Sequence, residues 1–272
     1  MRQAHRFAGP GQPYEGLTVL RPKTAKRPGV DWSGRVRAVP DAINEPLRWK
    51  KPQRIFVNSM SDLFHEGLPD EAIDAIMGTI GACDDAAIGH VFQVLTKRAE
   101  RMRAYMRERA YKAWNLRRLG PNAWPPRNLW LGVSTENQTT ADERIPLLLE
   151  TPAAVRFISA EPLLGPVDLQ PYLLRTSFSG SALGWVIAGG ESGNGARPFD
   201  AWWAVELIDQ CEKAGVACFV KQLGARPLFP VTDAEASNYG ERLPLKLRDK
   251  KGGEISEWPE RLRVRQFPEV RP

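Results

Sequence analysis

Six short apolar runs recur along the chain, each followed by polar, Gly or Pro residues and usually by a helical pattern. They are Arg54-Ile55-Phe56-Val57, Val91-Phe92-Gln93-Val94-Leu95, Leu129-Trp130-Leu131-Gly132-Val133, Val155-Arg156-Phe157-Ile158, Trp185-Val186-Ile187-Ala188 and Ala217-Cys218-Phe219-Val220. A run apolar at nearly every position suits a strand covered on both faces, as in a parallel sheet. Between the runs, Pro69-Asp70-Glu71 opens a predicted helix that lasts to about Cys83, with acid in its first turn. Residues 98–118 predict a long basic helix, ended by Gly120-Pro121-Asn122 and Pro125-Pro126. Thr139-Thr140-Ala141-Asp142-Glu143 caps a third helix, ending before Pro152, and Asp200 to Ala214 predicts a fourth, closed by Gly215.

The fold class that follows is α/β. Right-handed crossovers between six strands give either a parallel (βα) barrel, partial or closed, or an open doubly wound sheet. The first strand lacks a Gly-rich phosphate loop, which favours the barrel. Three regions are expected. Residues 1–53 form an N-terminal irregular or helical segment without a clear strand, 54–224 form the βα core, and 225–272 form a C-terminal extension rich in Pro and charge. In such a core every strand C-terminus points to one side, so the polar residues stationed there converge on one mouth.

The composition sets broad bounds. The chain has 272 residues, 42% of them hydrophobic, enough for a sizeable core. A formal charge of +6 is mild at this length and permits an anionic partner without requiring one. No stretch of about 20 apolar residues predicts a membrane span. The opening Met1-Arg2-Gln3-Ala4-His5-Arg6 lacks the apolar core of a secretory signal. Cys83, Cys211 and Cys218 are odd in number and widely spaced, as expected for core thiols in a cytoplasmic protein.

Candidate chemistry gathers at the strand ends. Asp62 and His65 follow the first strand with Asn58 and Ser61, and can act as acid and base, ligate a metal, or simply shape a surface turn. Lys97 and Lys221 end two further strands and can bind an anion, act as bases, or pair with carboxylates at the mouth. Glu136 and Glu161 occupy equivalent places, each with a serine two residues earlier, Ser134 and Ser159. Such carboxylates suit an ammonium, a metal, acid–base work, or ion pairs with the two lysines. Gly189-Gly190-Glu191-Ser192-Gly193 allows close backbone approach and offers N–H groups to an anion, while Glu191 suits a cation; a tight turn explains the string equally well. Gln222 completes the ring, and His90 lies at the opposite end of its strand. The helix from Arg98 to Arg118, with Tyr105, Tyr111 and Trp114 among its arginines, is the candidate nucleic-acid surface, or else a solvated outer helix. The cysteines show no metal cluster, and no P-loop, Gly-x-Ser-x-Gly elbow or His-Glu-x-x-His helix occurs.

Taken together and in order, several strings closely resemble an uncharacterised phage-associated family of bacterial and phage proteins, itself similar to radical SAM enzymes. They are the run from Arg54 to His65, Val94-Leu95-Thr96-Lys97-Arg98, Leu131 to Asn137, Ser159 to Leu163, Gly189 to Gly193, Lys221-Gln222-Leu223-Gly224 and Lys251 to Glu260. The resemblance implies S-adenosylmethionine as cofactor, and placement at the strand ends offers Ser134, Glu136, Ser159, Glu161, Gly189, Gly190 and Glu191 as its contacts. It leaves Asp62, His65, Lys97 and Lys221 as candidate catalytic groups, with Asn58, Ser61 and Gln222 toward the substrate. Relatives are expected to begin with a strand and a cysteine-rich loop holding a [4Fe–4S] cluster, whereas this sequence has no Cys before Cys83. Two explanations compete, a late start or truncation and a member that has lost the cluster; the first is favoured, with the N-terminal strand missing, and no cluster-dependent radical chemistry is expected on this chain. Two other functions stay open: a non-catalytic nucleic-acid-binding protein of a phage or mobile element, and a metal-dependent hydrolase using Asp62, His65, Glu136 and Glu161.

Overall fold

A computed structural model describes residues 8–10, 15–20, 29–59, 61–115, 124–173, 183–230 and 241–269. In chain order its strands are β1 (Thr18–Leu20), β2 (Val30–Trp32), β3 (Arg54–Val57), β4 (Val91–Thr96), β5 (Leu129–Ser134), β6 (Val155–Ala160), β7 (Trp185–Gly189), β8 (Phe199–Asp200), β9 (Ala217–Gln222), β10 (Pro227–Pro230) and β11 (Arg242–Pro244). The crossover helices are α1 (Asp70–Asp85), α2 (Ala99–Asn115), α3 (Gln138–Leu149) and α4 (Trp202–Ala214).

All six predicted runs are strands of one parallel sheet, ordered β3-β4-β5-β6-β7-β9 and curled into a half-barrel. β5 and β7 are buried at every position, the pattern expected of strands with both faces covered. Their alternating side chains feed two cores. Phe92, Val94, Leu131, Val133, Ile158, Val186 and Val220 face the helix layer, where they meet Ile73, Met77, Met102, Ile145, Leu148 and Ile208. Trp130, Phe157, Trp185 and Ile187 form a separate cluster on the concave face, with Leu95 and Phe219 packed against it.

Trp185 is the hub of that inner cluster, with ring centroids 5.8 Å from Trp130, 5.6 Å from Phe157 and 6.0 Å from Phe219. Phe157 fits because β5 carries Gly132 beneath it: a Cβ there would stand 2.5 Å from the Phe157 ring. The tail completes the floor. Residues 264–266 run along the free edge of β9, where the Gln266 N–H donates to the Cys218 carbonyl and the Val220 N–H to the Val264 carbonyl. Phe267 then lies 5.3 Å from Trp185, and the Arg54 guanidinium from β3 stacks 3.8 Å over its ring. One aromatic side chain thereby ties both edges of the half-barrel together.

Two local expectations are corrected. Residues 1–53 do contain strands: β1 and β2 pair antiparallel, each only three residues long and too short to show a period. The cap of α3 is Asn137 rather than the Thr139 to Glu143 string. Its side chain accepts from the Thr140 N–H at 3.0 Å, while the Thr140 hydroxyl accepts from the Asn137 N–H at 3.2 Å. Among the described residues no helix is long and apolar enough to cross a membrane.

Candidate functional site

The mouth is built by register. Ser134 and Ser159 are direct partners across β5 and β6, and Glu136 and Glu161 stand two residues beyond them. Lys97, just past β4, pairs with Glu136. Lys221, in β9, reaches Glu161 at 3.1 Å across β7, whose position there is Gly189. Four strand ends thus carry a row in which two neighbouring glutamates are flanked by two lysines, above two hydroxyls and an aromatic floor. The glutamate side chains are 12% and 15% exposed, whereas the lysines are 58% and 57% exposed. The carboxylates are fixed and the ammonium groups can swing aside at small cost, since ion pairs with one exposed partner are weak.

Arg144 locks the Glu136 side. From α3 it donates to the Ser134 carbonyl at 2.8 Å and to Glu136 Oε2 at 3.2 Å. Burial resists ionisation of Glu136, but Lys97 and Arg144 outweigh it and hold the carboxyl below the usual glutamate range. Arg197 does the same for Glu191: it donates to Glu191 Oε2 at 2.8 Å and keeps that carboxyl low. In turn Glu191, and at longer range Glu136, raise the Arg197 pKa. Sequence reading missed both arginines. Arg144 was findable, because eight residues from Glu136 it returns to the strand end on the first turns of α3; Arg197, in a loop, has no such signal.

The Gly189-Gly190 backbone differs from expectation. The Gly190 N–H does not await an anion but donates to the Gln222 carbonyl, and the Gly189 carbonyl accepts from the Leu163 N–H. Gln222 closes the loop by donating to the Gly190 carbonyl at 3.0 Å. These glycines serve close packing: a Cβ on Gly190 would meet the Leu223 carbonyl oxygen at 2.3 Å. The Glu161–Pro162 peptide beside them is cis.

Asp62 is saturated. It accepts from the Phe64 N–H at 2.9 Å, the Thr96 hydroxyl at 2.7 Å, the Lys97 N–H at 3.3 Å and Arg98 at 2.9 Å. With Asn58, Ser61 and His65 it lines a cavity of about 640 Å³ whose walls do not include the glutamate–lysine row. The mouth residues therefore fall into two groups, the row and the Asp62 cavity. Among the described residues no group of three or more His, Cys, Asp or Glu is placed to hold a metal ion. Cys83, Cys211 and Cys218 are buried in the helix-facing core on α1, α4 and β9, so they do not fit a [4Fe–4S] cluster at the mouth. His90 is buried, with Nδ1 accepting from the Gln53 N–H and Nε2 facing the Pro46 carbonyl at 3.0 Å.

The basic helix α2 carries much of its charge in pairs. Arg98 meets Asp62 and Glu66, Arg101 meets Asp70, Arg103 and Arg107 share Glu150, and Arg109 is bidentate to Asp74. Tyr105 is buried and donates to Asp74 at 2.6 Å, while Tyr111 is exposed. Arg117 and Arg118, and the side chain of Trp114, lie outside the described residues.

A family model described as a protein of unknown function (DUF5131) matches residues 1–250, and the chain belongs to that family. No curated protein and no solved structure matches it.

Proposed function

We propose that the mouth of the half-barrel binds a zwitterionic cofactor of the S-adenosylmethionine type, as the resemblance to radical SAM enzymes implies. The observation that supports this reading is the row in which Lys97 pairs with Glu136 and Lys221 with Glu161 above Ser134 and Ser159. An amino-acid group brings an ammonium and a carboxylate together, and it can insert into one internal pair and satisfy both of its members. A fixed glutamate takes the ammonium, and an exposed lysine swings to the carboxylate. The serine hydroxyls offer further hydrogen bonds, and Ser159 already reaches Glu161 at 3.5 Å. Leu95, Ile187 and Phe219 give apolar surface for a planar base below.

S-adenosylmethionine supplies an activated sulfonium when bound. The chain's own part is to hold the amino-acid end at Glu136 and Glu161 and to present Lys97 and Lys221 beside it. Because the cysteines do not fit a cluster, no radical step is assigned to these residues. Calorimetric titration of the full chain with S-adenosylmethionine tests the reading. Saturable binding that weakens in Glu161→Gln supports it, and an absence of binding removes it.

A further inference from the structure

β3 is an edge strand, and among the described residues no strand pairs with its outer side. The cavity of about 640 Å³ lies there, between Ile55 and Val57 of β3, Ile76 and Ile80 of α1, and the segment 32–49. That volume is the size of a site for one small molecule. Trp32, Val39, Trp49 and Phe56 line it and are each 40–43% exposed, four of the ten large apolar residues exposed in the described part. Apolar surface gathered around one hollow marks a binding site, whereas scattered exposed residues do not.

Asn58, Ser61, Asp62 and His65 line the cavity where β3 ends. Asp62 is neutralised by Arg98 and has no role left to offer an incoming cation. His65 Nδ1 accepts from the Gly67 N–H at 3.0 Å, so in the neutral ring the proton sits on Nε2 as a donor. Val36 packs at Gly67 in the same turn, and Arg35 and Arg37 on either side of it also line the cavity, as does Glu45. Beside the neutralised Asp62 the wall therefore offers the His65 donor and two arginines against the one further carboxylate of Glu45, while the rest of it is largely aromatic and aliphatic.

We propose that this cavity binds a small amphipathic molecule with a planar apolar body and an anionic head. The body lies against Trp49, Ile55 and Ile76, and the head meets His65, favoured by the positive charge that Arg35 and Arg37 bring to the wall. The proposal does not depend on the reading of the mouth, since the glutamate–lysine row is not part of the cavity wall.

Anilinonaphthalene sulfonate has this chemistry, and phenylnaphthylamine is the same body without the charge. Each is titrated into the folded full chain and followed by fluorescence. The expected result is one saturable site, with the sulfonate about tenfold tighter than the neutral probe. Ile76→Trp, which fills the cavity, should lose both probes, and His65→Ala should weaken the sulfonate alone. Melting temperatures verify folding, and Trp49→Ala, expected to weaken both probes, replaces Ile76→Trp if that variant unfolds. No saturable binding, or binding unchanged in the cavity variant, overturns the proposal. Equal affinity for the two probes overturns the anionic head. Dimerisation seen by sedimentation that excludes the sulfonate assigns this face to a second copy and overturns the small-molecule site.

Discussion

Lys221 Nζ lies 3.1 Å from Glu161 Oε2, and the strand between them contributes Gly189 at the crossing. A Cβ on Gly189 would stand 3.1 Å from both Cγ and Oε1 of Glu161. The missing side chain is what lets two charges pair across an intervening strand.

Gly189→Ala should therefore displace Glu161 and destabilise the fold by about 1–3 kcal/mol, the usual cost of an overpacked site. Gly190→Ala should cost more, because its Cβ would meet the Leu223 backbone, with the oxygen at 2.3 Å and the carbon at 2.8 Å. At Gly189 the nearest backbone atom is the Gln222 oxygen at 3.1 Å, and the Glu161 carboxylate can rotate away. Urea unfolding of the two variants gives the order, and a milder effect at Gly190 would contradict it.

The lowered pKa of Glu136 makes the site sensitive to acid. Burial opposes its charge, and Lys97 with Arg144 more than compensates. A carboxyl depressed on folding contributes stability above its unfolded value, about 4.3 for glutamate, and loses it as pH falls through the lower folded value. Melting temperature should therefore fall more steeply on acidification in the parent chain than in Glu136→Gln. Parallel curves for the two proteins would show that Glu136 makes no such contribution.

Phe267→Ala should loosen the floor of the half-barrel. The side chain is 37% exposed, so the loss should be about 1–2 kcal/mol, below that of a fully buried phenylalanine. It removes contacts to Trp185 and Phe219 and the stacking of Arg54. If the tail does tie the edges together, Arg54→Ala should cost less in the Phe267→Ala background than alone. A double-mutant cycle measures that coupling, and strict additivity would mean the two edges are independent.

Asn137→Ala removes half of the capping box at the start of α3, the helix that carries Arg144 to Glu136. A loss of about 1 kcal/mol is expected by thermal unfolding. Any weakening of ligand binding at the mouth should exceed that in a control variant at the exposed Tyr111.

The central strands were legible because their runs are apolar on both faces, as in β5 and β7, and sheet burial between two cores demands that; the edge strand β3 shows the same run although its alternate positions are exposed. The pairing of Lys97 with Glu136 and Lys221 with Glu161 was legible as one alternative, since strand ends in a parallel sheet meet at one mouth. Phe267 was not, because a single aromatic in a charged tail shows no period. The cavity beside β3 was equally hidden. Its outer wall, residues 32–49, has no regular pattern, and only the fold brings Trp49 and Ile76 to one cavity. The glycine string was visible, but its use was not. Hydrogen bonds from Gly190 to Gln222 depend on neighbours that are distant in sequence.

Comparing three ligands by calorimetry tests the mouth most directly: S-adenosylmethionine, S-adenosylhomocysteine and methylthioadenosine. The first two carry the amino-acid group, and the third keeps the nucleoside without it. Binding of the first two, with methylthioadenosine at least about tenfold weaker and the preference abolished in Glu161→Gln, is the expected result. Equal binding of all three, or a preference that survives in Glu161→Gln, would show that the row of Lys97, Glu136, Glu161 and Lys221 does not recognise a zwitterion.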